Sequence, residues 1–300
     1  MHMKHITVLL KEAVSLLDLS ADSVVLDCTL GSGGHAREII SKLDRRGIYI
    51  GIDADESALE ENRALREQTE AKLFLIHDNF RNVAKVASSQ GVEKADAILA
   101  DLGWRIEQFE GTAGIKRGFS FKKDEPLAMT YGDPDDYPFT AYHIVNQWQE
   151  EDIANVIFAY GQERLSRKIA RAIVQARQKE PIETSAVLAE VIARVIPVRG
   201  RKRIHPATKT FQALRIAVND EFDALRQLLE DGFALLSPKG RMAIITFHSL
   251  EDRIVKEIFR TYTRDHKAVL VNKKPIEPSA EELETNPRAR SAKLRVIEKI

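Results

Sequence analysis

The fold is decided by residues 24–36, which read VVLDCTLGSGGHA. The first three residues are apolar, as in a buried strand, and Asp27 follows where that strand ends. Gly31, Gly33 and Gly34 then let the backbone turn tightly and approach a ligand closely. A helical pattern begins at His35 and extends to residue 43. A strand, a glycine-rich turn and a helix in this order are typical of the nucleotide-binding end of an α/β sheet.

Strand-like and helical patterns alternate through the remainder of the first hundred residues. They predict strands at 48–52, 73–76 and 97–102, and helices at 56–68 and 80–88. Nearly continuous apolar strands separated by helices indicate a doubly wound, mostly parallel sheet. The fold class is therefore α/β.

The alternation stops after Asp101 and resumes late in the chain. A loop-like stretch covers 104–138, and helical patterns follow at 153–178 and 185–196. The later elements predicted are helices at 219–236 and 250–263 and strands at 242–247, 268–272 and 293–299. We therefore predict one α/β domain formed by residues 1–108 and 213–300, interrupted by an inserted helical domain at 109–212.

The composition excludes several classes of protein. Of the 300 residues, 44% are hydrophobic and 30% are charged, which is ordinary for a globular chain and excludes a disordered one. Cys28 is the single cysteine, so an internal disulfide and a cysteine-based zinc site are excluded. No apolar run approaches the roughly 18 residues of a membrane span. We expect a cytoplasmic protein without a catalytic metal.

The charges cancel overall but are unevenly distributed. The chain has 45 basic and 45 acidic residues, yet residues 160–215 contain 13 Lys or Arg against four Asp or Glu. Such a segment either binds a polyanion or forms solvated helix faces. The densest basic group, which we expect to contact phosphates, is Arg199, Arg201, Lys202, Arg203 and Lys209.

Acidic residues stand at the ends of four successive predicted strands. These residues are Asp27, Asp53, Asp78 and Asp101. Asp53 is placed to accept hydrogen bonds from ribose hydroxyls, in a dinucleotide site or in an S-adenosylmethionine site. Each acid alone could equally be a helix cap or turn residue. Together they favour a cationic ligand over a pyrophosphate. We therefore predict that Asp27 and Gly31 take part in cofactor binding.

Longer motifs in the chain resemble the ribosomal RNA small subunit methyltransferase H family. The most specific are residues 205–215, HPATKTFQALR, and residues 247–253, FHSLEDR. The resemblance covers nearly the whole chain, and it implies that the α/β domain at 1–108 and 213–300 is the catalytic, cofactor-binding domain and that the inserted domain at 109–212 binds the RNA substrate. It implies a class I S-adenosylmethionine-dependent methyltransferase fold, Rossmann-like with a mostly parallel seven-stranded sheet, and methylation of N(4) of a cytidine in the decoding centre of 16S rRNA. The implied partner is 16S rRNA or the small ribosomal subunit.

The resemblance also implies a set of cofactor-binding residues, all of which this chain has. They are Gly33, Gly34, His35, Asp53, Phe80, Asp101 and Gln108. Of these, Phe80 belongs to the run Asp78-Asn79-Phe80 after the third strand, which could hold the adenine.

Two segments depart from the family pattern. Residues 104–107 read WRIE where the family has a small apolar residue, two serines and a proline. Ala128 and Thr130 stand where the family has Asp and Arg. Both segments are expected beside the cytosine pocket, so they bear on the choice of substrate.

The remaining candidates concern the transfer and the base. Asp101 is the candidate catalytic acceptor for the amine protons of cytosine. A flipped base could stack on Trp104, Phe119 or Phe121, although Trp104 could instead fill space. His248 could contact the substrate or be a structural histidine, and His35 could donate to the cofactor or face solvent.

Three other functions remain open at this stage. Gly31, Gly33, Ala36 and Asp53 also fit an NAD-dependent oxidoreductase. A non-catalytic RNA-binding relative that keeps the cofactor pocket is a second alternative, and a methyltransferase retargeted to another nucleotide is a third. The oligomeric state is open too, a homodimer included.

Overall fold

The computed structural model describes residues 6–103, 116–121, 124–196 and 205–300. The chain divides into two compact units, one formed by residues 1–104 and 222–300 and the other by residues 105–221. The sequence predicts division points at 108/109 and 212/213, and a separate role for each unit stays a prediction.

The first unit is built on a seven-stranded sheet with the order β3-β2-β1-β4-β5-β7-β6. All pairs from β3 to β5 are parallel, whereas β7 runs antiparallel to both β5 and β6. This confirms the predicted α/β fold with a mostly parallel sheet. The strands are β1 (Val24–Asp27), β2 (Ile48–Asp53), β3 (Lys72–His77), β4 (Ala95–Asp101), β5 (Leu236–Thr246), β6 (Ala268–Leu270) and β7 (Lys293–Lys299).

Both faces of this sheet are buried. Leu26, Ile50 and Ile98 belong to the core on one face, while their neighbours Val25 and Tyr49 belong to the core on the other. Successive side chains of a strand point to opposite faces, so a strand that is covered on both sides must be apolar at nearly every position. This explains why the strands read as continuous apolar runs in the sequence.

Helices cover the sheet, and short 3-10 turns follow three of the elements. The helices are α1 (Leu10–Leu16), α2 (Gly34–Ile40), α3 (Glu56–Glu61), α4 (Val83–Ser89), α10 (Glu221–Leu235), α11 (Ser249–Arg264) and α12 (Ala280–Thr285). The 3-10 segments are Arg63–Glu67, Phe80–Asn82 and Pro287–Ser291.

The second unit is helical around its own apolar core. Ile157, Ile169, Leu188 and Leu214 are all fully buried in that core. Its helices are α5 (Ala141–Gln147), α6 (Glu150–Gly161), α7 (Ser166–Arg177), α8 (Ser185–Val195) and α9 (Thr208–Asn219).

Two helical predictions are wrong in their extent. The single pattern at 153–178 is two helices, because α6 ends at Gly161 and Gln162 adopts a left-handed φ of 50°. The predicted helix at 219–236 is α10 alone, since Asp220, with φ 48°, separates it from α9. The sequence analysis also missed α1, α5, α9 and α12. The breaks at Gln162 and Asp220 depend on tertiary packing, and the helical periodicity of a sequence does not report such packing.

In the part of the chain that the structure describes, no helix combines the length and the apolar content that crossing a membrane would require.

Candidate active site

The candidate site lies where the parallel strands of the first unit end. Asp27, Asp53 and Asp101 are the last residues of β1, β2 and β4, and Asp78 follows β3 directly. These strands are neighbours in the sheet, so the four acids share one edge. The chain runs from β1 through β2 to β3 on one side and then crosses to β4 on the other side of β1, and ligands of doubly wound sheets bind outside such a switch point.

The glycine turn after β1 has a backbone that only glycine fits well. Gly31 and Gly33 have φ values of 53° and 73°. A Cβ built on Gly33 would overlap the Asn62 side chain, and one built on Gly34 would overlap Thr7. The turn is therefore held between two other segments of the same unit, and its shape is set before any ligand binds.

Asn62 is a site residue that the sequence analysis missed. Its amide Nδ2 donates to the carbonyl oxygens of Gly31, at 2.9 Å, and Ala58, at 2.7 Å. The residue is 1% exposed. Its position after α3, 31 residues from Gly31, gives no local signal for this contact.

Asp53 organises the same turn. Its Oδ2 accepts a hydrogen bond from the Gly31 backbone N–H at 2.8 Å, and its Oδ1 accepts one from the Asp55 N–H at 2.9 Å. Each carboxylate oxygen has a further lone pair. Asp53 can thus hold the turn and also accept from ribose hydroxyls, the role predicted for it.

Asp27 lies beneath the turn, with 1% of its surface exposed. Its Oδ2 accepts from the Tyr49 hydroxyl at 2.7 Å and its Oδ1 from the Thr29 N–H at 3.2 Å. Burial raises the pKa of Asp27 to about 6. This burial leaves little surface for a direct contact, so Asp27 can act on a bound cation mainly through its charge.

Asp101 is the acid best placed to meet a ligand. Its side chain is 21% exposed, and its Oδ2 lies 3.8 Å from Nδ1 of His35, which is itself buried. Its backbone N–H donates to Thr29 Oγ1 at 2.6 Å. Burial, followed by the charges of Asp27, Glu251 and Glu282, raises its pKa well above the ordinary value for an aspartate.

Glu251 and Glu282 are two further acids that the sequence analysis did not assign to the site. Glu251 Oε2 accepts from the backbone N–H of Phe247 at 2.9 Å, and Glu282 Oε1 accepts from that of Leu9 at 2.9 Å. Because both are held by backbone donors, their carboxylates have fixed positions. We call Asp27, Asp53, Asp101, Glu251 and Glu282 the acidic edge.

Several buried polar atoms on the glycine turn and the acidic edge lack a hydrogen-bond partner. Among the described residues, these atoms include Ser32 Oγ, Asn62 Oδ1 and Asp101 Oδ1. The amide oxygen can only accept hydrogen bonds, and so can the carboxylate oxygen when ionised, so these atoms match a ligand with ammonium or hydroxyl donors. A pyrophosphate offers acceptors alone. The residues present therefore fit S-adenosylmethionine better than a dinucleotide.

The segment after β3 supplies the predicted adenine contacts. Asp78 Oδ1 accepts from the Asn79 N–H and from Asn82 Nδ2, both at 2.7 Å. Phe80 is half-buried and packs on the apolar core. The structure thus shows a rigid turn there, and adenine binding by Phe80 stays a prediction.

His248 has a structural role in this structure. It caps α11, and its Nε2 lies 2.9 Å from Glu251 Oε1. Of the two interpretations offered above, the capping contact supports the structural histidine. A contact between His248 and substrate stays a prediction.

The described substrate candidates of the second unit are dispersed. Phe119 is 4% exposed and stacks on Tyr131, with ring centres 5.8 Å apart, so little of its ring is available to a base. Phe121 stacks on His205 at 4.2 Å. Lys209 is on α9, and its Nζ donates to the Gln162 carbonyl at 3.0 Å.

The other predicted site residues lie outside the described residues. They are Trp104, Gln108, Arg199, Arg201, Lys202 and Arg203.

Comparison with known proteins adds the following. A model described as the MraW methylase family matches residues 2–300. The chain is 44% identical over 312 residues to a protein of Brevibacillus brevis named ribosomal RNA small subunit methyltransferase H, covering 99% of this chain and 98% of the relative. A protein of the same name from Clostridium botulinum is 42% identical, with 100% of both chains covered. One from Limosilactobacillus fermentum is 43% identical, with 99% of this chain and 98% of the relative covered.

Proposed function

The chain belongs to the MraW methylase family, and on that basis we propose that it methylates N(4) of a cytidine in the decoding centre of 16S rRNA. The protein is an S-adenosylmethionine-dependent methyltransferase by family and fold. Relatives named ribosomal RNA small subunit methyltransferase H match it from end to end, which supports ribosomal RNA as the substrate. Such a substrate implies a cytoplasmic location.

The single observation that best supports this activity is Asp101 at the end of β4. Its Oδ1 is buried without a hydrogen-bond partner among the described residues, and burial, followed by the charges of three other carboxylates, raises its pKa. A carboxyl with a raised pKa is a competent proton acceptor near neutral pH, whereas an ordinary aspartate is a weak one. A cation bound beside it lowers that pKa and restores the ionised form.

The exocyclic amine of cytosine is a poor nucleophile because its lone pair conjugates with the ring. When bound, the cofactor supplies a methyl group made electrophilic by a positively charged sulfur. Held at the acidic edge, the donor would give this methyl group to the cytosine nitrogen and would leave as a neutral thioether. Asp101 is proposed to accept one of the two protons of the methylated nitrogen, which leaves the neutral N(4)-methyl product.

The other residues of the site contribute to the reaction mainly by positioning the cofactor. Asp53 and Asn62 hold the glycine turn in one shape, and Asp53 is proposed to orient the ribose of the cofactor. The negative potential of the acidic edge favours the sulfonium and the ammonium of the donor over a neutral analogue. Preorganised groups of this kind need no rearrangement during the reaction.

The target base must unstack from its neighbours in the RNA to reach the acidic edge. We propose that Trp104 and Phe121 take part in holding it, and that Arg199, Arg201, Lys202, Arg203 and Lys209 contact nearby phosphates. The departures at 104–107, Ala128 and Thr130 concern this part of the site, so they bear on which nucleotide is accepted.

Mass spectrometry of nucleosides tests the proposal. Small-subunit RNA is incubated with methyl-labelled S-adenosylmethionine, with and without the protein, and then digested. Labelled N(4)-methylcytidine is the expected product. Label in a different nucleoside would indicate a retargeted enzyme, and no label with a protein that still binds the cofactor would indicate a non-catalytic relative.

A further inference from the structure

The helix α7 presents a basic surface within the basic segment 160–215, apart from the densest basic group named above. Its buried face is formed by Ser166, Ile169, Ala170 and Ile173, which follow helical spacing. Arg167, Lys168 and Arg171 lie on the exposed side. Arg164 is exposed in the turn that leads into the helix. We call Arg164, Arg167, Lys168 and Arg171 the basic stripe.

Most of the charge of this stripe is not neutralised within the protein. Arg171 pairs with Glu150 at 3.5 Å, and its side chain is still 70% exposed. Arg164, Arg167 and Lys168 make no ion pair with any residue that the structure describes. Three adjacent cations without counter-ions repel one another, so the arrangement favours an anionic partner.

The stripe lies near Lys209, which belongs to the group proposed above to contact phosphates and is within the described residues. Lys209 Nζ donates to the carbonyl of Gln162, two residues before Arg164. A Cβ on Gly161 would come within 2.5 Å of the Lys209 carbonyl oxygen, so α9 packs closely against the end of α6. The basic surface therefore continues from Lys209 along α7.

We propose that the basic stripe binds the phosphate backbone of the RNA substrate. The inference rests on the proposed function, because that function supplies a polynucleotide as the partner. It adds a second, sequence-independent contact surface on the helical unit. Backbone contacts of this type position a nucleic acid without reading its bases.

A nucleic acid fits this surface better than a membrane does. Helices that lie on anionic membranes insert an apolar face among the lipids. The apolar face of α7 is already used, since Ile169 and Ile173 are fully buried in the core of the unit.

The test compares three variants with the wild-type protein. The stripe variant is Arg164→Gln/Arg167→Gln/Lys168→Gln. The control variant, Arg66→Gln/Lys72→Gln/Lys85→Gln, removes three exposed cations from the first unit and changes the net charge equally. A third variant, Arg164→Lys/Arg167→Lys, keeps the charge of the stripe. All are titrated with a labelled fragment of small-subunit RNA over a series of salt concentrations.

The slope of log affinity against log salt concentration is negative, and each contact with a non-duplex strand contributes about −0.7 to it. Because the stripe variant lacks three cations, its slope should be less negative than that of the wild type by about 2. The control variant and the lysine variant should keep the wild-type slope. A stripe variant with the wild-type slope would overturn the inference. So would stripe-dependent binding to phosphatidylserine vesicles, or to an acidic peptide, in place of the RNA.

Two further measurements separate this inference from the proposed function. Calorimetry with S-adenosylmethionine checks that the first unit of each variant is folded, because Asp53 and the glycine turn belong to that unit, and the lysine variant controls for substitutions in the helical unit. Nucleoside analysis then reports methylation. Stripe-dependent RNA binding without methylation would count against the function alone, and normal methylation with an unchanged slope would count against the stripe alone.

Discussion

The acidic edge and the basic stripe carry opposite charges in opposite surroundings. At the edge, Asp27 and Glu251 are almost completely buried, and backbone groups fix several of the carboxylates. On the stripe, Arg167 and Lys168 are exposed and their side chains have no ion-pair partner among the described residues. The two regions should therefore respond to different variables.

Ligand binding at the acidic edge should depend on pH, because desolvation raises the pKa values of its buried acids Asp27 and Asp101. Binding of a polyanion to the basic stripe should depend on salt concentration, since charges exposed to solvent are screened over about 10 Å at moderate ionic strength. A small ligand that must be held in one geometry suits the first arrangement. A long polyanion that is held along its backbone suits the second.

The largest expected effect concerns Asp101. Asp101→Asn removes the proposed proton acceptor and should lower the rate of methyl transfer by about 10²–10³-fold, the usual cost of losing one such group. Rates are measured with labelled cofactor at saturating RNA. The control is Asp96→Asn, on the same strand but at its opposite end, where Oδ2 accepts from the Val24 N–H at 2.9 Å. Equal rates for the two variants would remove Asp101 from the mechanism.

The next effect tests how rigid the edge is before binding. Gly33→Ala adds a Cβ where Asn62 lies and forces an alanine to φ 73°, so cofactor affinity should fall by about 10²-fold. Gly91 has nearly the same φ, 72°, and open space around it. Gly91→Ala should therefore cost about 1 kcal/mol of unfolding free energy with unchanged cofactor affinity. If calorimetry finds the two variants alike, the turn is not a preorganised part of the site.

A smaller effect concerns the ribose. Asp53→Ala should weaken S-adenosylmethionine binding by about 1.5–3 kcal/mol, the range for hydrogen bonds to a charged group. Asp55→Ala is the control, because Asp55 caps α3 through the Ser57 N–H and has no assigned ligand contact. Calorimetry showing the same affinity for the Asp53 variant and the wild type would exclude the ribose role.

The smallest effect is the dependence of affinity on pH. Binding of a cation lowers the raised pKa values of Asp27 and Asp101, so binding releases protons and affinity rises with pH. Below pH 6, where Asp27 is protonated in the free protein, the rise should be at most about tenfold per pH unit for each coupled group. S-adenosylhomocysteine, whose sulfur is neutral, should show a weaker dependence. An affinity for both ligands that is constant with pH would show that the buried acids do not sense the cation.

Much of the fold could be predicted because its signals are local. The strands that end at Asp27, Asp53 and Asp101 are apolar on both faces, and the glycine turn follows the first of them directly. The helical break at Gln162 could not be predicted in this way. It depends on the packing of α9 against Gly161, some fifty residues away in the chain.

The same distinction applies to the site. The strand-end acids were accessible to sequence reasoning because parallel strands place their carboxyl ends at one edge. Glu282 is held at this edge by a hydrogen bond that its side chain accepts from the backbone N–H of Leu9, 273 positions away in the chain. Asn62 is held there by the hydrogen bond that it donates to the carbonyl of Gly31. Neither residue lies in a motif that indicates such a contact, so only the folded chain shows them.

The central claim is that the acidic edge holds a positively charged methyl donor. A crystal structure of the protein soaked with S-adenosylmethionine tests it most directly. We expect density for the donor along the strand ends, with its ribose on Asp53 and its sulfonium methyl group directed towards Asp101. An edge that stays empty at saturating donor, or that takes up a dinucleotide instead, would contradict it.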